Sequence, residues 1–333
     1  MAFPSTVRCC DVIIIGGGLA GLSAAIYLGR SRRDTVLIHT NRSMAKWESD
    51  VQNYLGFPKG IDGENLLARG MQQVVRIEVV IVEEDIHSLI KDGETFSLSG
   101  SGTLYRARRV LLATGLTHLP PEIPGVRECL GRSLFFCKDC DAYQSQGKNI
   151  VIIGGNNEAA DYALAMLAFT SSVTICTNGG PPQWDVDRAG WLEEYAVPIQ
   201  HERIRSLLHH DGQLTGLALE GGNSVTVEGV FTTRDDLYHH DLATCVGAQL
   251  DEEGQIIVDY CLKTTVPGLY AAGCVTPANC QMIIAAGQGA IAGQAINRDL
   301  FEDSLKRHTL PRYGDANRIK EQTISPSPVK GIS

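Results

Sequence analysis

Apolar residues fill positions 12–15 behind Asp11, glycines occupy 16–18, and apolar positions then recur at helical spacing over 22–29. A second apolar run lies at 35–38. Strand, glycine turn, helix and strand in that order predict a βαβ unit. The same passage returns 138 residues later: an apolar run at 150–153, glycines at 154 and 155, a helical pattern over 161–169, and a strand at 172–176. Between the two, residues 110–115 read VLLATG, a strand ending in Thr114 and Gly115, and residues 120–125 read PPEIPG, a proline-rich crossover suited to a hinge. Past residue 240, residues 268–274 read GLYAAGC, another strand end, and residues 281–296 form a glycine-punctuated helix.

This internal repeat predicts an α/β protein of two Rossmann-like domains, each a three-layer ββα dinucleotide-binding fold, with the second inserted into the first. The boundaries expected are 1–119 with 239–305 for the discontinuous first domain, 120–238 for the second, and a basic tail over 306–333. In the first unit Gly16, Gly18 and Gly21 keep the GxGxxG spacing around Leu19 and Ala20. The first glycine permits the tight turn, the second lets a pyrophosphate approach the backbone, and the third lets helix and strand pack closely. The pyrophosphate would rest on the free amides at the helix N-terminus; a bare structural turn is the alternative. The second unit reads Gly154, Gly155, Asn156, so asparagine stands where the close-approach glycine is expected. No basic residue lies between Cys176 and Arg188, and a 2′-phosphate site is therefore not expected there.

Composition narrows the function. A net charge of −9 argues against nucleic-acid binding, which rests on Lys and Arg neutralising phosphates. No apolar run reaches the ~18 residues of a membrane span, and the N-terminus lacks a signal-peptide pattern, so a cytoplasmic protein is expected. From Lys306 onward six basic residues face only Asp315 and Glu321. That tail reads as a solvated segment, as a lid over a cofactor with Tyr313 as a stacking ring, or as a peripheral contact with an anionic membrane.

Ten cysteines in such a protein call for chemistry rather than a disulfide scaffold. The sole C-x-x-C is Cys137 and Cys140, a spacing that brings two sulfurs across one turn. Lys138 adds positive charge favouring a thiolate, and Asp141 is placed to give and take a proton. Half a zinc site is the alternative, but Cys9 with Cys10, Cys274 with Cys280, and the His209–His210 and His239–His240 pairs lack metal spacing. The histidine pairs read as surface loops. A dithiol beside an FAD-type fingerprint points to two-electron exchange between flavin and disulfide, in a direction set by reduction potentials.

The chain resembles the low-molecular-weight thioredoxin reductases over about residues 10–300. The resemblance is carried by residues 12–22, by Asn53 in NYLGFP, by Ala113, Thr114 and Gly115, by the Cys137–Asp141 box, by residues 153–155 and by AAGCV at 271–275. It implies FAD in the first domain and the dithiol in the second, with Cys140 facing the flavin, Cys137 exchanging with a partner, and Asp141 as acid/base. It also implies a homodimer and a thioredoxin-type protein or small thiol as partner. Gly273 and Gln281 belong to the implied flavin site.

The departures from that family matter as much. Asn156 and the CTN at 176–178 replace the family's glycine and its His-Arg-Arg grip on the 2′-phosphate. Cys274 stands where an aspartate binds the ribityl chain, and Cys280 where an arginine precedes Gln281. These changes resemble the pyridine-nucleotide-independent branches: the cyanobacterial diflavin-linked disulfide oxidoreductases and the ferredoxin-dependent reductases. The expectation is an FAD enzyme that does not use NADPH, holds a second flavin in the degenerate domain, and runs electrons from thiol to flavin. A reductase driven by NADPH or ferredoxin is the enzymatic alternative, and a non-catalytic flavin redox sensor the other. On this reading the cysteines form one working disulfide, Cys274 and Cys280 mark a rebuilt flavin pocket, and Cys9, Cys10, Cys129, Cys245 and Cys261 have no assigned role and are expected to be reduced thiols.

Overall fold

The computed structural model describes residues 7–233 and 235–312. The tail beyond residue 312, with Tyr313, lies outside the described residues. Contacts divide the chain into two compact units, one of residues up to 43, 70–115 and 238 onward, the other of 44–69 and 116–237.

The first unit opens with β1 (Val7–Ile15), whose apolar end, Val12 to Ile15, is buried. Each such side chain contributes about 1.5–3 kcal/mol of burial. Helix α1 (Leu19–Arg30) follows, then β2 (Thr35–His39). Helix α2 (Gly63–Arg76), whose residues up to 69 group with the second unit, leads to β3 (Val80–Glu83) and to β4 (Ser88–Asp92), β5 (Thr95–Ser99) and β6 (Leu104–Leu112). The strands lie in the order β3-β2-β1-β6-β5-β4. The first four are parallel, whereas β4 and β5 return antiparallel. Parallel pairing of β1 with β2 needs a crossover, which α1 supplies.

The second unit holds β7 (Leu116–Leu119), α3 (Val126–Cys129), β8 (Leu134–Phe135) and α4 (Lys138–Asp141). Next come β9 (Ile150–Ile153), α5 (Asn157–Met166), β10 (Val173–Cys176), α6 (Val186–Glu194) and β11 (Ile199–Gln200). Strands β12 (Ile204–His210), β13 (Gln213–Leu219) and β14 (Ser224–Thr226) form an antiparallel sheet. Strand β15 (Gly229–Thr232) completes the parallel sheet β11-β10-β9-β15-β8, and β16 (Asp235–Tyr238) pairs with β7. All four residues of β9 are buried, as expected for a strand covered on both faces.

Returning to the first unit, the chain forms α7 (Asp241–Cys245), β17 (Leu269–Ala271) beside β6, and the long helix α8 (Met282–Lys306). Arg109 of β6 pairs with Asp299 at 2.5 Å, and Arg33 Nε donates to Asn297 Oδ1 at 2.7 Å, so the charged end of α8 is anchored to the sheet and to the turn after α1. No helix among the described residues is long and apolar enough to cross a membrane. The architecture is the two-domain α/β Rossmann-like fold expected from the repeat.

Candidate functional site

Strands β2, β1, β6 and β17 end together. Gly16 N–H donates to Ile38 O at 2.8 Å, Ala113 N–H to Ile15 O at 2.8 Å, and Ala272 N–H to Leu112 O at 3.0 Å. Gly16 to Gly18, Thr114 with Gly115, and Gly273 with Cys274 therefore share the carboxyl edge of one parallel sheet, where such folds bind nucleotides. Gly16 has φ +119°, and a Cβ there would lie inside the Ala113 carbonyl; a Cβ on Gly21 would lie inside the Gly16 carbonyl. Gly18 is different. It is the N-cap of α1, makes no side-chain cap, and a Cβ there would meet only Ser43 Oγ, at an ordinary contact distance of 3.6 Å. The first-turn amides of α1 are thus open to an anion, and these residues fit the pyrophosphate of FAD. Thr114 Oγ1 donates to His239 O at 2.6 Å, tying the Thr-Gly turn to the returning chain. Strand β2 ends in His39, not in the carboxylate that commonly reads a ribose at this position. Asn53 is exposed and belongs to the segment that packs with the second unit.

The second turn is built differently. Asn156 is the N-cap of α5, and its Oδ1 accepts the Ala159 N–H at 3.0 Å. The loop after β10 folds back over the turn: Gln183 N–H donates to Gly155 O at 2.6 Å, and Asp185 N–H to Asn157 Oδ1 at 2.8 Å. Arg188 is held by Asp161 and Asp185 at 2.5–2.9 Å. The sequence shows no cation near the end of β10, but the fold supplies one. Arg203, three residues past β11, is exposed with its side chain beside Gly179 at 3.5–3.7 Å from a Cβ position there.

Cys137 and Cys140 are disulfide-bonded, with Cα atoms 5.3 Å apart. Cys137 caps α4, and its carbonyl accepts the N–H groups of both Cys140 and Asp141 at 3.2 Å. Both cysteines are partly exposed, whereas Asp141 is buried. Burial, reinforced by Glu48 and Asp50, pushes the Asp141 carboxyl up to about 8. Glu48 is itself raised by burial. Lys138, expected to favour a thiolate, pairs with the exposed Asp139 at 2.8 Å, and its ammonium lies 5.9 Å from the Tyr162 ring.

Glu48 lies far from Asp141 in sequence, and no motif signals their approach. Removing its charge should lower the Asp141 carboxyl. Glu48→Gln is expected to move the Asp141-dependent limb of a pH–rate profile to lower pH, and an unmoved limb would exclude electrostatic coupling. A second group missed in the sequence is His118, buried with Nδ1 2.5 Å from Asp236 Oδ1 and its ring 4.9 Å from Phe136, the residue before Cys137.

Cys274 and Cys280 form a second disulfide, Cα atoms 5.0 Å apart, where only one was expected. A five-residue gap is no recognised redox spacing; the turn from β17 into α8 closes it. Cys129 and Cys176 are buried thiols, and burial pushes Cys176 up to about 11, leaving it unreactive at neutral pH.

Residues 10–292 match the family model of the pyridine nucleotide-disulphide oxidoreductases. A thioredoxin reductase of Listeria innocua is 28% identical over 307 residues, covering 89% of this chain and 95% of its own. The crystal structure of HlmI superimposes with a TM-score of 0.85 at 27% identity, covering 93% of this chain and 97% of that one. That of a putative thioredoxin reductase, TrxB, from Bacillus anthracis gives 0.81 at 28% identity, with 88% and 99% covered. An uncapped dinucleotide turn, a C-x-x-C disulfide beside a raised carboxyl, and these likenesses agree: the chain belongs to the pyridine nucleotide-disulphide oxidoreductase family, as a thioredoxin reductase-like flavin disulfide oxidoreductase.

Proposed function

We propose that this enzyme moves an electron pair between the Cys137/Cys140 couple and FAD without using NADPH, in the thiol-to-flavin direction. Its partner is a thioredoxin-type protein dithiol or a small dithiol, and its assembly a homodimer, as the resemblance implies. FAD, when bound, supplies a two-electron acceptor. A partner thiolate attacks Cys137 Sγ of the bridge and releases Cys140. The partner's second thiol then attacks the mixed disulfide, so that the partner leaves oxidised and Cys137 is freed. Cys137 and Cys140 close their bridge again as the electron pair would pass to FAD, and Asp141 takes a proton released. A carboxyl that titrates near pH 8 holds and yields a proton in the working range.

One observation carries the exclusion of NADPH. Asn156 satisfies an amide of α5 that a pyrophosphate would otherwise engage, whereas the matching amides of α1 are uncapped. The same cap bears on a second flavin, whose pyrophosphate needs those amides. Extraction of the purified protein is therefore expected to yield one FAD per chain; two per chain would support the diflavin arrangement. In anaerobic stopped flow, millimolar NADPH or NADH should leave the flavin oxidised while a dithiol bleaches it. Rapid bleaching by NADPH would overturn the proposal. It would favour a second reading, an NADPH-driven thioredoxin reductase, which Arg203 beside Gly179 supports as a contact for a 2′-phosphate.

A further inference from the structure

The Cys274–Cys280 bridge lies within the first unit, at the sheet edge that carries the glycine turn. We infer that it is a second, reducible thiol–disulfide couple, and that its state sets how tightly this unit holds FAD. Cys274 directly follows Gly273, whose missing side chain faces Ala20 Cβ in the first turn of α1, 3.0 Å from where its own Cβ would be. Farther along α8, a Cβ on Gly289 would lie inside the Ala20 carbonyl, so α8 and the first turn of α1 meet backbone to backbone. The Cys274 end of the loop is fixed: Gly273 N–H donates to Gln288 Oε1 at 2.7 Å, and Thr276 Oγ1 donates to Gly273 O at 2.8 Å. Toward Cys280, Ala278 N–H donates to Thr276 O at 2.7 Å and Gln281 N–H to Asn279 O at 2.8 Å. The bridge joins this end to the fixed one, and so ties the start of α8 to the dinucleotide turn.

Chemistry supports exchange at this pair. Both cysteines are partly exposed, unlike Cys129 and Cys176, so a dithiol can reach them. Cys280 lies two residues before α8 begins, at the N-terminal end of a 25-residue helix, and no charged side chain occurs in the sequence between Lys263 and Arg298. A helix N-terminus favours a thiolate, making Cys280 the leaving sulfur. A partner dithiol, as thiolate, attacks Cys274 Sγ, forming a mixed disulfide and releasing Cys280. The partner's second thiol then attacks its own sulfur, freeing Cys274. Two electrons and two protons pass to the pair, and the partner leaves as a disulfide.

The test uses full-length holoprotein, with Cys137→Ser/Cys140→Ser as background so that only one pair changes state. Native alkylation, digestion with trypsin and mass measurement follow the peptide of residues 264–298, which contains both cysteines. In protein purified in air the peptide should be unlabelled, and it should become doubly labelled after dithiothreitol treatment that leaves the circular dichroism unchanged. Reduction is expected to speed FAD release about ten-fold, a coupling of ordinary size between two sites. Cys274→Ser/Cys280→Ser should release FAD at the reduced rate whatever the redox state. Because reduced and oxidised forms of one protein are compared, the outcome stands even if that variant folds poorly. Thiols in air-purified protein, a bridge that resists dithiothreitol until unfolding, or equal FAD release in both states would each overturn the inference. None of these outcomes depends on whether NADPH reduces the flavin.

Discussion

Cys140→Ser is expected to fold, to keep FAD, and to exchange electrons between dithiol and flavin at least ~10³-fold more slowly, the scale on which loss of a reacting nucleophile is felt. The reason is stoichiometric: the electron pair leaves the protein's thiols only as an S–S bond closes, and serine cannot close it. The two cysteines are separated by what they trap. With Cys140 absent, Cys137 is a lone thiol. Offered the partner in its oxidised, disulfide form, it should attack one partner sulfur, release the other as a thiol and hold a mixed disulfide, visible as an adduct on a non-reducing gel. Cys137→Ser should show none. An adduct on Cys137→Ser instead would reverse the assigned roles, and full activity in either variant would remove this pair from the mechanism.

Asp141→Asn is expected to cost ~10²–10⁴-fold in turnover, the usual contribution of a positioned acid or base, while making the fold more stable. The sign follows from burial. The folded carboxyl titrates near 8 and the unfolded one near 3.8. Between those values the native state keeps a proton that the unfolded state has lost, so stability falls as pH rises through the window. Asparagine removes that slope, and chemical denaturation at pH 8 should show a gain of roughly 1–3 kcal/mol. In the thiol-to-flavin direction the ionised carboxylate accepts the proton, so the wild-type rate should climb through about pH 8. In the reverse direction the protonated form donates, and the rate should fall there. A variant that keeps both wild-type turnover and the wild-type pH limb would assign the proton to another group, with His118 the next to test.

Both dinucleotide turns were legible in the sequence because their constraint is local. Gly16 needs a positive φ within one turn, and Gly21 must lie against the carbonyl of Gly16, so composition and spacing report the geometry directly. The C-x-x-C box is legible for the same reason: four consecutive residues in one turn place both sulfurs. Asn156 could be read as a departure but not as a cap, since whether its oxygen faces a ligand or its own helix depends on the rotamer. That Lys138 also pairs with Asp139 could not be read from the sequence, since the rotamers of two adjacent side chains decide it. The bridge from Cys274 to Cys280 is not legible in the sequence because its spacing fits no redox motif; only the path from β17 into α8 brings the two together.

What the sequence determined by itself is the order of strands, turns and helices, the two glycine turns, and the identity of the C-x-x-C sulfurs. Each depends on backbone preferences within a few residues, which tertiary contacts do not rewrite. Tertiary structure alone decided which side chains share an environment: Glu48 against Asp141, Asp236 on His118, Arg203 beside Gly179, and the second disulfide at the dinucleotide edge. Charge repulsion, burial and bond formation act through space, and their partners here come from strands and loops far apart in the chain or joined by a turn no motif describes.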